Sequence, residues 1–244
     1  MSSRIMAHMV ALFPDRAGSL KVARALVDGG ASMIEVQFPF SDPMADGPDI
    51  QAACARALSA GFTVADGFRL VGEICSATSV PVFIMSYANL LFAMGIDRFL
   101  AETKDAGARG VIVPDLPPDY DEGLFRSAAG LGLSAVPVLS PSMREPRLER
   151  VATLGARYLY ATLRTGTTGA LTEIDPSSIA FLQRLASLGS GEPPRILGGF
   201  GIATRQQVTA VEGRVYAVVV GSALVREVSR GGDAVRDALK VLVG

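Results

Sequence analysis

The sequence holds one histidine, His8, and no tryptophan, and only three of its 23 basic residues are lysine: Lys21, Lys104 and Lys240. A single histidine leaves no Cys/His cluster for a recognisable metal site. A Ser–His–Asp triad would have to run through His8, and no nucleophile elbow accompanies it. All three lysines fall in stretches that read as helices, so none is placed for a Schiff base. The two cysteines, Cys54 and Cys75, are too few for a disulfide framework, and both sit in helical stretches that suit packing. The formal net charge of −1, with no run of like charge, argues against nucleic-acid or membrane-surface binding. No apolar run reaches the roughly 18–20 residues of a membrane span. The start MSSRIMAHMV lacks a secretory pattern, so the chain reads as a soluble cytoplasmic protein. Acid–base chemistry by Asp and Glu is what remains.

The chain is rich in apolar, β-branched stretches. Its 244 residues, 49% hydrophobic, suffice for one large domain. Strands are predicted near residues 7–13, 33–38, 80–86, 110–114, 134–139, 157–162, 195–199 and 215–220. Their starts lie about 30 residues apart, the size of a strand plus a crossover helix. Amphipathic stretches such as SLKVARALVDGG and DRFLAETKDAGA fill the intervals, with apolar residues three and four apart. Gly29-Gly30, Gly107, Gly155 and Gly213 stand where helices end ahead of alternate strands. With no linker dividing the chain, eight β/α units predict a single-domain (β/α)8 TIM barrel over residues 1–244. A doubly wound open sheet is the plainer alternative. In a barrel, chemistry belongs at the C-terminal strand ends and the loops that follow.

Two carboxylates stand out there. In the second strand, alternation places Met33, Glu35 and Gln37 inside if Ile34, Val36 and Phe38 face the helices. Burial disfavours an ionised carboxylate, which suits an acid/base working near neutrality. A structural glutamate bonded to a neighbouring strand fits the pattern equally well. The following loop, PFSDPMADGP, carries Asp42 and Asp46 among three prolines that partly pre-organise it. Turn capping is the ordinary role for both aspartates. His8 is a packed residue if it faces the helices and a pocket-lining one if it faces inward.

Three glycine-rich turns follow late strands: Arg164–Ala170, Gly198–Ile202, and Gly221-Ser222-Ala223-Leu224, which opens a helix. Backbone N–H groups at such turns hold anions without Lys or Arg. Barrels often bind phosphate after their last two strands.

The run IEVQFPFSDPMADGPDIQ (34–51) closely resembles the signature of the tryptophan synthase α subunit family. The resemblance continues in MSYANLLFAMGIDRFL, GVIVPDLPPDY, RTGTTGA, GGFGI and GSALV, in order over nearly the whole chain. It implies a (β/α)8 lyase that cleaves indole-3-glycerol phosphate to indole and glyceraldehyde 3-phosphate by a retro-aldol reaction. Glu35 would protonate the indole ring carbon and assist removal of the glycerol hydroxyl proton. Asp46 would stabilise the charge developing at the indole N–H. Gly169, Gly201, Gly221 and Ser222 would hold the phosphate. Tyr160 and Thr168 match further active-site positions, and Ile50, Met85, Tyr87, Ile112 and Phe200 would border the indole. The resemblance also implies a β partner, usually in an α2β2 assembly, with pyridoxal phosphate only in that partner.

The sequence departs from the family in four places. Gln37 replaces a usual glycine and, facing inward, would donate a hydrogen bond to Glu35. Val10-Ala11-Leu12-Phe13-Pro14 replaces a usual Thr-x-Gly-Asp-Pro turn. His8 falls where an aromatic residue often borders the indole. The usual N-terminal leading helix is absent or very short, which would leave the barrel bottom open or covered by something else. Gln37 and the altered first-strand turn motivate a second reading, a weakly active or non-catalytic α-like subunit that regulates a β partner. An isomerase or epimerase acting on another phosphosugar is a third.

Overall fold

The computed structural model describes residues 3–163, 174–188, 192–199 and 201–244. Nine strands and eleven α-helices lie among these residues. The first half comprises β1 (Ile5–Val10), α1 (Arg16–Asp28), β2 (Met33–Gln37), α2 (Pro48–Ser59), α3 (Val64–Ala77), β3 (Val82–Met85), α4 (Ala88–Met94), α5 (Ile96–Asp105) and β4 (Gly110–Ile112). The second comprises α6 (Leu124–Gly130), β5 (Ser134–Val136), β6 (Val138–Leu139), α7 (Glu145–Thr153), β7 (Tyr158–Thr162), α8 (Pro176–Ala186), β8 (Arg195–Gly199), α9 (Arg205–Val211), β9 (Ala217–Val220), α10 (Ser222–Val228) and α11 (Gly232–Val243).

All ladders are parallel, in the order β5-β4-β3-β2-β1-β9-β8-β7-β6. The predicted strand 134–139 is here two, β5 and β6, because Pro137 between them has no N–H to give to a ladder. β5 bonds to β4 and β6 to β7, so this interrupted strand closes the (β/α)8 barrel, and β1 pairs with β9 on the opposite side. Lys21, Lys104 and Lys240 lie in α1, α5 and α11, as the sequence predicts. Cys54 is buried in α2 and Cys75 half-buried in α3, both as free thiols.

β1 differs from its predicted span. It starts at Ile5 and ends at Val10, because Leu12 turns the chain with φ 60°. That left-handed conformation is costly for a residue with a Cβ, and Leu12 stands where the family turn usually has glycine. The following Phe13 is buried, with the Arg56 guanidinium 5.1 Å from its ring centre. The apolar turn thus joins the core.

Strand alternation divides that core in two. Ile5, Ala7, Met9, Ile34, Val36 and Phe38 face outward into a shell shared with the helices. Met6, Met33, Phe83, Met85, Tyr158 and Leu197 fill the barrel interior. At the barrel bottom, Arg4 and Tyr216 precede β1 and β9, while Tyr158 and Arg195 open β7 and β8. The Arg195 guanidinium lies 4.6 Å from the Tyr216 ring centre and 5.7 Å from that of Tyr158, and Arg4 sits 4.9 Å over Tyr216. Arg195 also donates to the Tyr158 hydroxyl at 3.2 Å. These contacts form a cation–π cluster at the bottom of the barrel.

The β4–β5 contact leaves no room for a side chain at Gly110. A Cβ there would lie 1.9 Å from the Ser134 carbonyl oxygen. Gly110→Ala must separate two paired strands, so we expect it to cost about 1–3 kcal/mol or more. Urea denaturation with an unchanged midpoint would show that the ladder yields at no cost.

Candidate active site

The C-terminal mouth of the barrel encloses a cavity of about 280 Å³, near the lower end for small-molecule sites. β2 delivers Glu35 to it, on the interior side that alternation predicts, and Glu35 is only 3% exposed. Asp46, also 3% exposed, returns to the same cavity from the loop after β2. That loop is pinned by its own backbone: the Asp46 N–H donates to the Pro43 carbonyl at 3.0 Å, and Gln51 Nε2 donates to the Asp46 carbonyl at 2.7 Å. The turn chemistry open to Asp46 on sequence grounds is therefore done by its main chain, and its carboxylate is left to the cavity.

Asp46 Oδ2 accepts two hydrogen bonds, from Gln37 Nε2 at 2.7 Å and from the Tyr87 hydroxyl at 2.8 Å. Burial pushes the Asp46 carboxyl above its usual range. The charge of His8 and the bonds from Gln37 and Tyr87 oppose this, and the charge of Glu35 adds to it. The bond expected from Gln37 to Glu35 is replaced by this one to Asp46, with a further contact to Cys54 Sγ at 3.4 Å. Gln37 lies one inward position beyond Glu35, and the folded-back loop presents Asp46 to it. Tyr87, expected at the indole border, stands behind Asp46 rather than on the described cavity wall. Its hydroxyl also accepts from the Ala45 N–H at 3.1 Å, and its ring stacks on Phe40.

The other candidates fall into place around the cavity. Ile50, Met85 and Ile112 line its apolar wall, and Tyr160, Gly201, Gly221 and Ser222 line it from the late strands. Burial raises the Tyr160 phenol well above its ordinary pKa, helped by the charges of Glu35 and Asp46. Gly199 gives this ring its space: a Cβ there would lie 2.7 Å from the Tyr160 hydroxyl oxygen. Gly221 caps α10, and the Ser222 hydroxyl is buried with no partner among the described residues. Gly169, Thr168 and Phe200 lie outside the described residues.

Sequence reasoning left His8 undecided. The β1–β2 register pairs His8 with Glu35, so both point inward, and His8 Nδ1 meets Glu35 Oε2 at 2.6 Å. Burial pushes the imidazole toward its neutral form. The hydrogen bond and charge of Glu35, with the charge of Asp46, outweigh it and raise the His8 pKa. Arg226, also not anticipated, lines the cavity while pairing with Asp49 at 2.8 Å. Its signal was its place one turn beyond the Gly221-Ser222 turn. Among the described residues, no three His, Cys, Asp or Glu side chains are grouped as metal ligands. No helix among them is long and apolar enough to cross a membrane.

The family model described as "Tryptophan synthase alpha chain" matches residues 2–243. The tryptophan synthase alpha chain of Carboxydothermus hydrogenoformans is 38% identical over 91% of this chain and 82% of its own length. That of Helicobacter hepaticus is 36% identical over 93% of this chain and 86% of its own. Among solved structures, the tryptophan synthase α2β2 complex of Pyrococcus furiosus superposes with a TM-score of 0.88 at 30% identity, covering 100% of both chains. A Mycobacterium tuberculosis tryptophan synthase does so with a TM-score of 0.89 at 28% identity, covering 99% of this chain and 91% of that one. With the barrel, the two carboxylates at its mouth and relatives matched along nearly its full length, this chain belongs to the tryptophan synthase alpha chain family.

Proposed function

We propose that this chain, acting over residues 1–244 as one catalytic (β/α)8 domain, cleaves indole-3-glycerol phosphate to indole and glyceraldehyde 3-phosphate. It is a lyase of tryptophan biosynthesis, working in the cytoplasm as the α subunit of an α2β2 assembly. The observation that carries this reading is the meeting of Glu35 and Asp46 in one buried, largely apolar cavity.

The indole ring lies against Ile50, Met85 and Ile112, with Phe200 and the more distant Tyr87 completing that side. Glu35 gives a proton to the ring carbon that bears the glycerol chain. Positive charge then develops at the ring nitrogen. The Asp46 carboxylate, with Oδ2 held by Gln37 and Tyr87, keeps Oδ1 for that N–H. The ionised Glu35 next takes the glycerol hydroxyl proton as the carbon–carbon bond breaks, and that oxygen becomes the aldehyde of glyceraldehyde 3-phosphate. Protons balance, because Glu35 ends as it began. The phosphate is held by backbone N–H groups of Gly169, Gly201 and Gly221 and by the Ser222 hydroxyl, whose lack of a partner among the described residues supports the assignment. Thr168 and Tyr160 complete the site. The chain itself uses no cofactor in this reading, and pyridoxal phosphate belongs to the β partner.

The test is indole release from indole-3-glycerol phosphate by the purified chain, with and without a cognate β subunit. Release that rises on adding the partner is the expected result. A folded chain that binds the partner yet releases no indole in either condition would instead make it a regulatory subunit.

A further inference from the structure

His8 is not one of the groups to which the reaction above assigns a step, yet it is the nearest titratable group to Glu35. It is 4% exposed and lines the same cavity. Its two ring nitrogens have different surroundings. Nδ1 is committed to Glu35 Oε2 at 2.6 Å, a short, charge-assisted distance. Nε2 is buried with no partner among the described residues. An orphaned buried polar atom at a cavity wall is costly unless a ligand or solvent satisfies it. Beside the ring lies Gly221, whose Cβ position would be 3.7 Å from the His8 side chain. The imidazole therefore stands between the acid/base and the turn proposed to hold the phosphate.

From this geometry we infer that His8 and Glu35 work as one proton-holding pair, with His8 a positioning residue that fixes Oε2 and passes it the shared proton, which Glu35 then delivers. The inference rests on the lyase reading above and deepens its first step. That step needs a proton on Glu35 when the substrate is bound. The hydrogen bond and charge of Glu35 raise the His8 pKa, so the imidazole keeps a proton 2.6 Å from Oε2 to higher pH than an isolated ring would. On delivery the proton passes from the pair to the ring carbon. The glycerol hydroxyl proton then returns to Glu35, so the pair regains what it gave. The charged and titratable groups around His8 are Glu35 on β2, Asp46 on the loop after it, Tyr160 on β7 and Arg226 on α10. The two carboxylates favour the imidazolium. Arg226 opposes it, but its charge is engaged by Asp49.

The single histidine makes a direct test possible, since an untagged chain yields one imidazole signal set in an NMR titration. The wild-type signals should titrate above the ordinary imidazole range, and Glu35→Gln should lower their midpoint. A midpoint unmoved by Glu35→Gln would overturn the pair without reference to turnover. The second arm is the pH profile of kcat/KM for indole release. His8→Phe removes both the bond and the proton, whereas His8→Asn keeps a donor near the Nδ1 position but cannot carry the proton. Both variants should shift the alkaline limb to lower pH. At pH 8 kcat/KM should fall about tenfold or more, each unit of displacement being tenfold. At its own optimum, His8→Asn should retain more of kcat than His8→Phe, with KM little changed in both. Limbs that superpose on wild type would reduce His8 to packing. If the wild-type chain releases no indole under any condition, the lyase reading fails, while the NMR titration still decides the pair.

Discussion

Glu35→Gln should lower indole release by about 10²–10⁴-fold, the usual worth of a positioned acid/base. The substitution suits the site because it changes almost nothing else. Glutamine has the shape of glutamate, and the side chain sits inside the barrel with 3% exposure, where its neighbours hold it in place. Its carbonyl oxygen can still accept from His8 Nδ1, which lies 2.6 Å from Glu35 Oε2 in the wild type. It cannot give a proton to the ring carbon or take one from the glycerol hydroxyl. The loss should appear in kcat, with KM and the thermal unfolding midpoint close to wild type. That pattern marks an interaction made in the transition state rather than in substrate binding. Turnover within about threefold of wild type, far inside the range of a general acid/base effect, would remove Glu35 from the mechanism.

Phe38→Ala should produce the largest loss of stability, about 3–5 kcal/mol. Phe38 follows β2 directly and is fully buried. Its ring meets Phe62 at 5.9 Å, Phe68 at 5.2 Å and Phe99 at 6.0 Å between centres, the first two edge-on. Edge-to-face pairs add about 0.5–1.5 kcal/mol each beyond area burial. The room for this ring comes from Gly67 in α3, where a Cβ would lie 2.7 Å from it. A glycine inside a helix costs about 0.5–1 kcal/mol relative to alanine, so the helix gives up stability to admit the ring. Gly67→Ala should therefore destabilise the wild type and be neutral or stabilising in the Phe38→Ala background. Chemical denaturation of the two single variants and the double variant measures that coupling. A Phe38→Ala loss below about 1 kcal/mol would mean the cluster collapses onto the gap, contrary to the usual partial relaxation of cores.

The elements most legible in the sequence were those whose signal is local. Apolar, β-branched runs at regular spacing marked the eight predicted strand regions, and alternation put Glu35 inside once Ile34, Val36 and Phe38 were taken to face the helices. Features set by distant parts of the chain were less legible. Pro137 lies within an otherwise strand-like run, and its cut matters only because the two halves bond to different neighbours. Leu12 carries no local sign of a left-handed turn. The partner of Gln37 depended on how far the loop after β2 folds back, and Asp46 reached it before Glu35 did. The resemblance drew attention to Tyr87, but only the packing showed it supporting Asp46 from behind. His8 needed the β1–β2 register, a pairing of segments 27 residues apart, before its orientation could be fixed.

The pairing of β1 with β9 has a consequence for how the chain folds. Ile5 must find Val218, and Ser3 must find Glu212 at a separation of 209 residues, before the sheet becomes a ring. The other ladders join strands that follow one another closely in the chain, so they can form while the nascent polypeptide is still growing. The seam between first and last strand cannot. Closing so long a loop is entropically unfavourable until most other contacts are in place, and topologies dominated by such contacts fold slowly. The part of the cavity wall contributed by β9 and α10, which includes Val219, Ser222 and Arg226, is therefore assembled last. An unfinished chain carries both carboxylates but no closed pocket around them.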